Sequence, residues 1–228
     1  MGDPSRRPVI RPPIGADIRR RVITTRADTR NVHIHNVIVD GGDSDVGGSV
    51  ALRFREFASI TNCIVRNTRR GVGMTADMED REATFVARGN QIHNNWGPGI
   101  TLMGGSAYVE DNVFEGNGTA INSSGASGDR RIRRNVFRDN EVGVFLLNGA
   151  DDLVKGNVFK GGRDAIQTVA RGTNPTVGQN YFGGMRRAAI NRISGGSAVI
   201  RLDNVFSNVP ENFRRQEALD PPRVRVAP

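Results

Sequence analysis

Seven charged side chains fall in three neighbouring stretches of this 228-residue chain: Glu115, Arg138, Asp139, Glu141, Lys160, Arg163 and Asp164. Hydrolysis of a glycosidic bond needs two carboxyl groups straddling it, roughly 5 to 9.5 Å apart. Asp139 with Asp164 could supply that acid/base pair. Arg138, Lys160 and Arg163 stand beside it and could grip a ligand carboxylate or hydroxyl. Trp96, the only Trp, sits in the turn-rich run His93-Asn94-Asn95-Trp96-Gly97-Pro98-Gly99, where an indole can stack on a sugar ring. Mixed-charge corners are more often solvated salt-bridge surfaces, so the pattern offers a site without demanding one.

Metal chemistry has less support. Asp77-Met78-Glu79-Asp80 with Glu82 offers oxygen ligands to Ca2+ yet lacks the spacing of a known calcium loop, while Asp40-Gly41-Gly42-Asp43-Ser44-Asp45 is equally compatible with a calcium site or a polar turn. Both read first as polar turns. His33 and His35 share a strand face, a spacing that can chelate metal, but His93 belongs to a later strand and does not converge on them. Cys63 is the sole cysteine, which excludes an internal disulfide and a Cys-based zinc site. No cofactor is expected.

With 32 Lys+Arg against 24 Asp+Glu, the net charge is +8 and is carried almost wholly by Arg. An excess of that sign suits a polyanionic partner such as an acidic glycan. Nucleic acid is the weaker idea, because aromatic residues do not interleave with the Arg residues. No apolar run approaches the ~18 residues of a membrane span, and Met1 to Ile23 is Arg- and Pro-rich with no apolar signal region. The expectation is a protein assembled in the cytoplasm, or one secreted with its leader removed.

The elements that must position these residues repeat. Asn36-Val37-Ile38, Asn62-Cys63-Ile64, Asn90-Gln91-Ile92, Asn112-Val113-Phe114, Asn135-Val136-Phe137, Asn157-Val158-Phe159, Asn180-Tyr181-Phe182 and Asn204-Val205-Phe206 form one series. Successive Asn residues lie 26, 28, 22, 23, 22, 23 and 24 positions apart. A second polar or Gly position follows, at Asn67, Asn95, Asn117, Asn140 and Gly162, and then a small residue before an apolar one, as in Gly99-Ile100 and Ala165-Ile166. Each repeat reads as three short strands and three turns. Alone it cannot bury its apolar side, so the repeats must stack around one core. The leading Asn suits a left-handed corner and can bond its copies on adjacent coils. The Ile or Phe two positions later points inward.

The pattern Val-x-x-Asn-x-Phe-x-x-Asn followed by Gly-Ile-x-Leu, read from Val109 to Ile121 and from Asn90 to Leu102, resembles the right-handed parallel β-helix repeat of the pectate-lyase-like superfamily. The resemblance covers roughly residues 30 to 208. It implies an all-β, single-stranded parallel solenoid of about eight coils. The boundaries read as an Arg/Pro-rich N-terminal arm (1–21) without a core of its own, the β-helix (22–208), and a C-terminal cap and tail (209–228). In the cap, Pro210 to Leu219 can form about two helical turns with Phe213 as a lid. The superfamily joins polysaccharide lyases and hydrolases with phage tail spikes and other non-catalytic modules. In its lyases a Lys or Arg pair on adjacent coils can take part. Arg133 and Lys155 fit that geometry, within a mainly basic ladder of Arg88, Glu110, Arg133 and Lys155 reinforced by Arg130, Arg131 and Arg134.

Substrate grooves of such enzymes run along one strand ladder. Beside the inward Val50, Val72, Ile100, Ile121, Val144, Ile166 and Ile190, alternation gives an outward row of Ala51, Gly73, Thr101, Asn122, Phe145, Gln167 and Asn191. The next is Arg53, Thr75, Met103, Ser124, Leu147, Val169 and Ile193. Neither contains an Asp, Glu, Lys or His. They carry instead an apolar stripe, Met103, Phe145, Leu147, Val169 and Ile193, which reads as an interface. A second stripe follows the leading Asn residues: Val37, Cys63, Val113, Val136, Val158, Tyr181 and Val205. The preferred reading is a non-catalytic binding or structural stem, oligomeric and associated with a virion or surface assembly, with a trimer favoured by resemblance to spikes. The alternative is a lyase or hydrolase of an acidic polysaccharide.

Overall fold

The computed structural model describes residues 7–12, 21–42, 48–69, 71–125, 128–147, 152–169, 175–193, 199–200 and 203–216. Every regular element among them is a β-strand. The chain visits three parallel sheets in strict rotation, here called A, B and C. Sheets A and B hold nine strands each and sheet C eight. One coil runs Gln91–His93 in sheet A, Pro98–Met103 in sheet B and Ser106–Glu110 in sheet C. Each strand pairs with its counterparts one coil below and above. This is the expected parallel solenoid.

Alternation sends one apolar residue per strand inward, and stacking makes columns of them. In sheet A the inward column is Val39, Val65, Ile92, Phe114, Phe137, Phe159, Phe182 and Phe206. The rings of Phe114, Phe137, Phe159, Phe182 and Phe206 lie nearly parallel, with centroids 5.1, 4.4, 5.2 and 5.2 Å apart. These spacings follow the ~4.8 Å strand separation, so the core repeats at the period of the backbone.

The corners rest on two Asn ladders. At the corner from sheet C to sheet A, the amides of Asn90, Asn112, Asn135, Asn157 and Asn180 each donate to the side-chain oxygen of the next Asn, ending on Asn204, at 2.9 to 3.2 Å. The same oxygens accept the backbone N–H one coil back. At the corner from A to B, Asn95, Asn117 and Asn140 repeat the arrangement. Buried backbone donors need partners, and each amide supplies one without adding width to the corner.

Register corrects several expectations. The ladder residues do not adopt the left-handed conformation; the residue before each of Asn90, Asn112, Asn135, Asn157 and Asn180 does, namely Gly89, Asp111, Arg134, Gly156 and Gln179. Asn36 (φ 56°) and Asn62 (φ 52°) occupy that preceding position, so they stand outside the column. Cys63 takes the ladder place and donates its backbone N–H to Asn90 Oδ1 at 2.9 Å. Val65 and Val39, not Ile64 and Ile38, therefore point inward. Likewise Asn67 is a left-handed corner residue and Thr68 joins the second ladder. Asn does either job, and spacing alone does not tell them apart.

In sheet B one strand sits two residues from its expected register. Val50 pairs with Met74 rather than Val72, because Gly48–Phe54 and Val72–Met78 pair along their whole length with Gly48 opposite Val72. Thr75 moves into the first outward row in place of Gly73, and Asp77 into the second in place of Thr75. The second row therefore does carry a carboxylate, ion-paired to Arg53 at 3.5 Å.

Both ends differ from expectation. In the N-terminal arm, Val9–Ile10 adds a strand to sheet A against Ile38 and Val39, and Arg11 reaches Asp40 at 3.5 Å. An open sheet edge offers unpaired backbone groups to any extended neighbour. At the other end, Glu211–Gln216 is a strand of sheet B, not a helix. Two helical turns are marginal by themselves, while the sheet supplies hydrogen bonds and lets Phe213 continue the inward row above Ile190. Phe213 contacts Phe206 edge-on at 5.7 Å. Residues 217–228, which include Leu219, lie outside the described residues, as do Asp43, Ser44 and Asp45.

Candidate functional site

An open groove of about 1040 Å3 follows the corner from sheet A to sheet B across successive coils. Its lining includes Asn67, Arg69, Asn94, Trp96, Asp139 and Glu141. The backbone builds it. Asn67, Asn94, Gly116 and Asp139 hold the left-handed corner on four consecutive coils, which turns their side chains or bare backbone outward along one line. Trp96 follows Asn95 in the turn, and its indole is 70% exposed. Gly118 underlies it, since a side chain there would collide with the Trp96 carbonyl.

The carboxylates of the groove differ. Asp139 is exposed and makes no ion pair among the described residues. Glu141 accepts from Arg163 at 2.7 Å and from Arg186 at 2.6 Å. A side chain at Gly161 (φ 67°) would meet Asp139 Oδ1 and push that carboxylate aside.

Asp164 does not join them on the groove. It is fully buried at the start of its sheet B strand, held by Arg187 through both oxygens, by Gln167 and by Asn191. Arg163 bridges the two regions, touching Glu141 and, at 3.4 Å, Asp164. Burial by itself would raise the Asp164 pKa, but the hydrogen bonds from Arg187 and Gln167 and the Arg187 charge outweigh it and hold the carboxyl below its ordinary value.

The remaining candidates are spread over the stem. Arg133 and Lys155 are in register on the outside of sheet C, away from the groove lining. Arg133 binds Glu110 through Nε and Nη2 at 3.0 and 2.7 Å. Glu110 and Asp111 gather Arg88 and Arg134 as well, so the expected basic ladder is a mixed-charge network. Arg130 is not part of it. Its side chain is buried inside the stem, donating to Ser123 Oγ at 2.6 Å and to Ser124 O at 3.1 Å, under the charge of Asp152. Arg138 and Lys160 are exposed neighbours on sheet A.

The acidic segment meets arginine: Asp77 and Glu79 both pair with Arg53. His33 and His35 bond the hydroxyls of Ser59 and Thr61 on the next coil, while His93 is on sheet A. Met103, Leu147, Val169 and Ile193 share one outward column of sheet B, broken by Ser124, with Phe145 in the adjacent column. The second stripe belongs to sheet A, where Ile38 and Ile64 replace Val37 and the buried Cys63.

The family model of the right handed beta helix region matches residues 22–182, well over half of the chain. The chain belongs to that β-helix family. No curated protein and no solved structure matches this β-helix. Membership fixes the fold of the stem and leaves its chemistry to the groove. Of the residues singled out from the sequence, Trp96, Asp139 and Glu141 line the groove of this β-helix; Asn94 and Arg69 line it too and were not singled out. The readable signal for Asn94 was its alignment with Asn67 one coil earlier, directly before the ladder position.

Proposed function

We propose that this β-helix is a non-catalytic stem that binds a glycan in the groove at its A–B corner. The observation that carries the reading is the exposed Trp96 indole set among amides, a guanidinium and carboxylates along an open, elongated groove. An aromatic face takes the apolar face of a sugar ring, and amide and carboxylate groups take its hydroxyls. Repetition along the stem suits a polymer, which can meet similar groups on each coil.

The non-catalytic part rests on the carboxylates. A glycosidase acting by acid catalysis needs one carboxyl kept protonated, by apolar surroundings or by a second carboxylate beside it. Asp139 is exposed to water, Glu141 is committed to two arginines, and Asp164 is locked to Arg187. The test is a panel of acidic and neutral oligosaccharides scored both for retention by the immobilised protein and for new reducing ends or unsaturated products. Retention without products, lost in Trp96→Ala, is the expected result. Product formation abolished by Asp139→Asn with Glu141→Gln would replace this reading with the enzyme.

A further inference from the structure

The outer face of sheet A carries two columns that the groove does not use. One is largely apolar: Val9, Ile38, Ile64, Gln91, Val113, Val136, Val158, Tyr181 and Val205, with the Gln91 amide and the Tyr181 hydroxyl its polar groups. Its ends, Val9 and Val205, are 47% and 57% exposed. The other is charged and runs Arg66, His93, Glu115, Arg138, Lys160, then Gly183 and Ser207, while Asp40 at its N-terminal end is buried beneath Arg11 and Arg66. Each sheet A strand is short, so these two columns make up most of its outward face.

We propose that this face binds a second copy of the same chain, stem antiparallel to stem, about a two-fold axis passing between the coils of Glu115 and Arg138. Charge order selects the arrangement. An antiparallel two-fold opposes each coil to one counted equally far on the other side of the axis. With the axis between Glu115 and Arg138, each Glu115 faces the Arg138 of the other copy, twice. His93 then faces Lys160, Arg66 faces Gly183 and Ser207 faces the coil of the buried Asp40, so no like charges meet. His93 is held toward its neutral form by burial first and by the Arg66 charge second, which suits a Lys opposite.

Moving the axis by half a coil sets Glu115 against Glu115 or Arg138 against Arg138. A shift of one whole coil toward the N-terminus opposes Arg66 to Arg138. The same axis that satisfies the charges also matches the apolar column to itself: Val113 to Val136, Ile64 to Tyr181 and Ile38 to Val205. Only Gln91 meets an apolar residue, Val158. One register thus serves both columns.

The size of the face sets the strength. Strands of three residues, each ~10 Å long, over nine coils at ~4.8 Å give a strip of roughly 400 Å2 in plan on each copy. That is at the low end for specific association. The dimer is therefore reversible and dissociates on dilution. It leaves the groove open, because the groove lies around the corner from this face.

Light scattering after size-exclusion chromatography, across low to high micromolar protein, tests the proposal. The mass should climb from 24.8 kDa toward twice that value. Val136→Lys should keep it at the monomer mass. Glu115→Arg and Arg138→Glu should each weaken association by about tenfold, and the double charge swap should restore it. Matching circular dichroism and Trp96 fluorescence verify that each variant is folded. Phe145→Asp with Leu147→Asp, on sheet B, should leave the dimer intact. A monomer at every concentration, or an assembly indifferent to Val136→Lys, overturns the proposal. Neither outcome bears on glycan retention, which is measured separately.

Discussion

At the residue scale, the ladders and the Phe stack do most of the positioning. Asn135 is buried, accepts from the Asn112 backbone and amide, and donates to Asn157 and to the Val109 carbonyl. Replacing it with Ala strands the buried Asn112 backbone N–H, at about 1–3 kcal/mol, and takes an amide donor from Asn157 Oδ1 and from the Val109 carbonyl. We expect Asn135→Ala to lower stability by about 2–4 kcal/mol in urea unfolding. Phe137 lies between two parallel rings, and Phe137→Ala should cost about 3–5 kcal/mol in the same measurement. If Phe137→Ala unfolds like the parent protein, the packing described for sheet A is wrong.

Acid sensitivity belongs to the same scale. Burial opposes ionisation of Glu110 and Asp164, but arginine hydrogen bonds win and depress both pKa values in the folded chain. Depressed carboxyl groups contribute stability that is present above their unfolded pKa and is lost as pH falls through the folded one. Stability should therefore decline below about pH 4. Asp164→Asn should lower stability at neutral pH by on the order of 2 kcal/mol and flatten the acid decline. Thermal melts from neutral to strongly acidic pH check this, and an unchanged acid slope in the variant contradicts it.

At the scale of elements, much was legible because the backbone repeats. The Asn-x-Phe series gave the inward columns of sheet A correctly from Asn90 onward, where ladder and spacing coincide. It misplaced the first two coils by one residue, since Asn36 and Asn62 serve the corner and not the ladder. The register of Val72–Met78 hid Asp77 for a related reason: alternation fixes parity within a strand but not which residue of that parity stands opposite a neighbour. Arg130 was illegible because an inward position held an arginine, which solvation normally forbids. Corner demands are testable here. Gly161 combines φ 67° with contact to Asp139, so Gly161→Ala should destabilise by about 1–2 kcal/mol and shift the Asp139 side of the groove. Reduced glycan retention at matched folded fraction is the measurement, and unaltered retention would separate Gly161 from the groove.

For the whole molecule, the stem is a rod whose three faces divide the work. Sheet A presents apolar and charged columns, the A–B corner opens into the groove, and sheet C bears the Glu110 and Asp111 network. The groove was legible as a mixed-charge corner, and Trp96 as a turn residue, but their union depended on how the turns superpose. Because Trp96 is the only Trp, its fluorescence reports on the groove without a label. The most direct measurement is a titration of the intact protein with oligosaccharides of increasing length, following that emission. Saturable quenching or a spectral shift that strengthens with chain length, and weakens in Asp139→Ala and Asn94→Ala, is the expected result. Emission that stays that of a water-exposed indole across every acidic and neutral glycan tried would contradict the binding role.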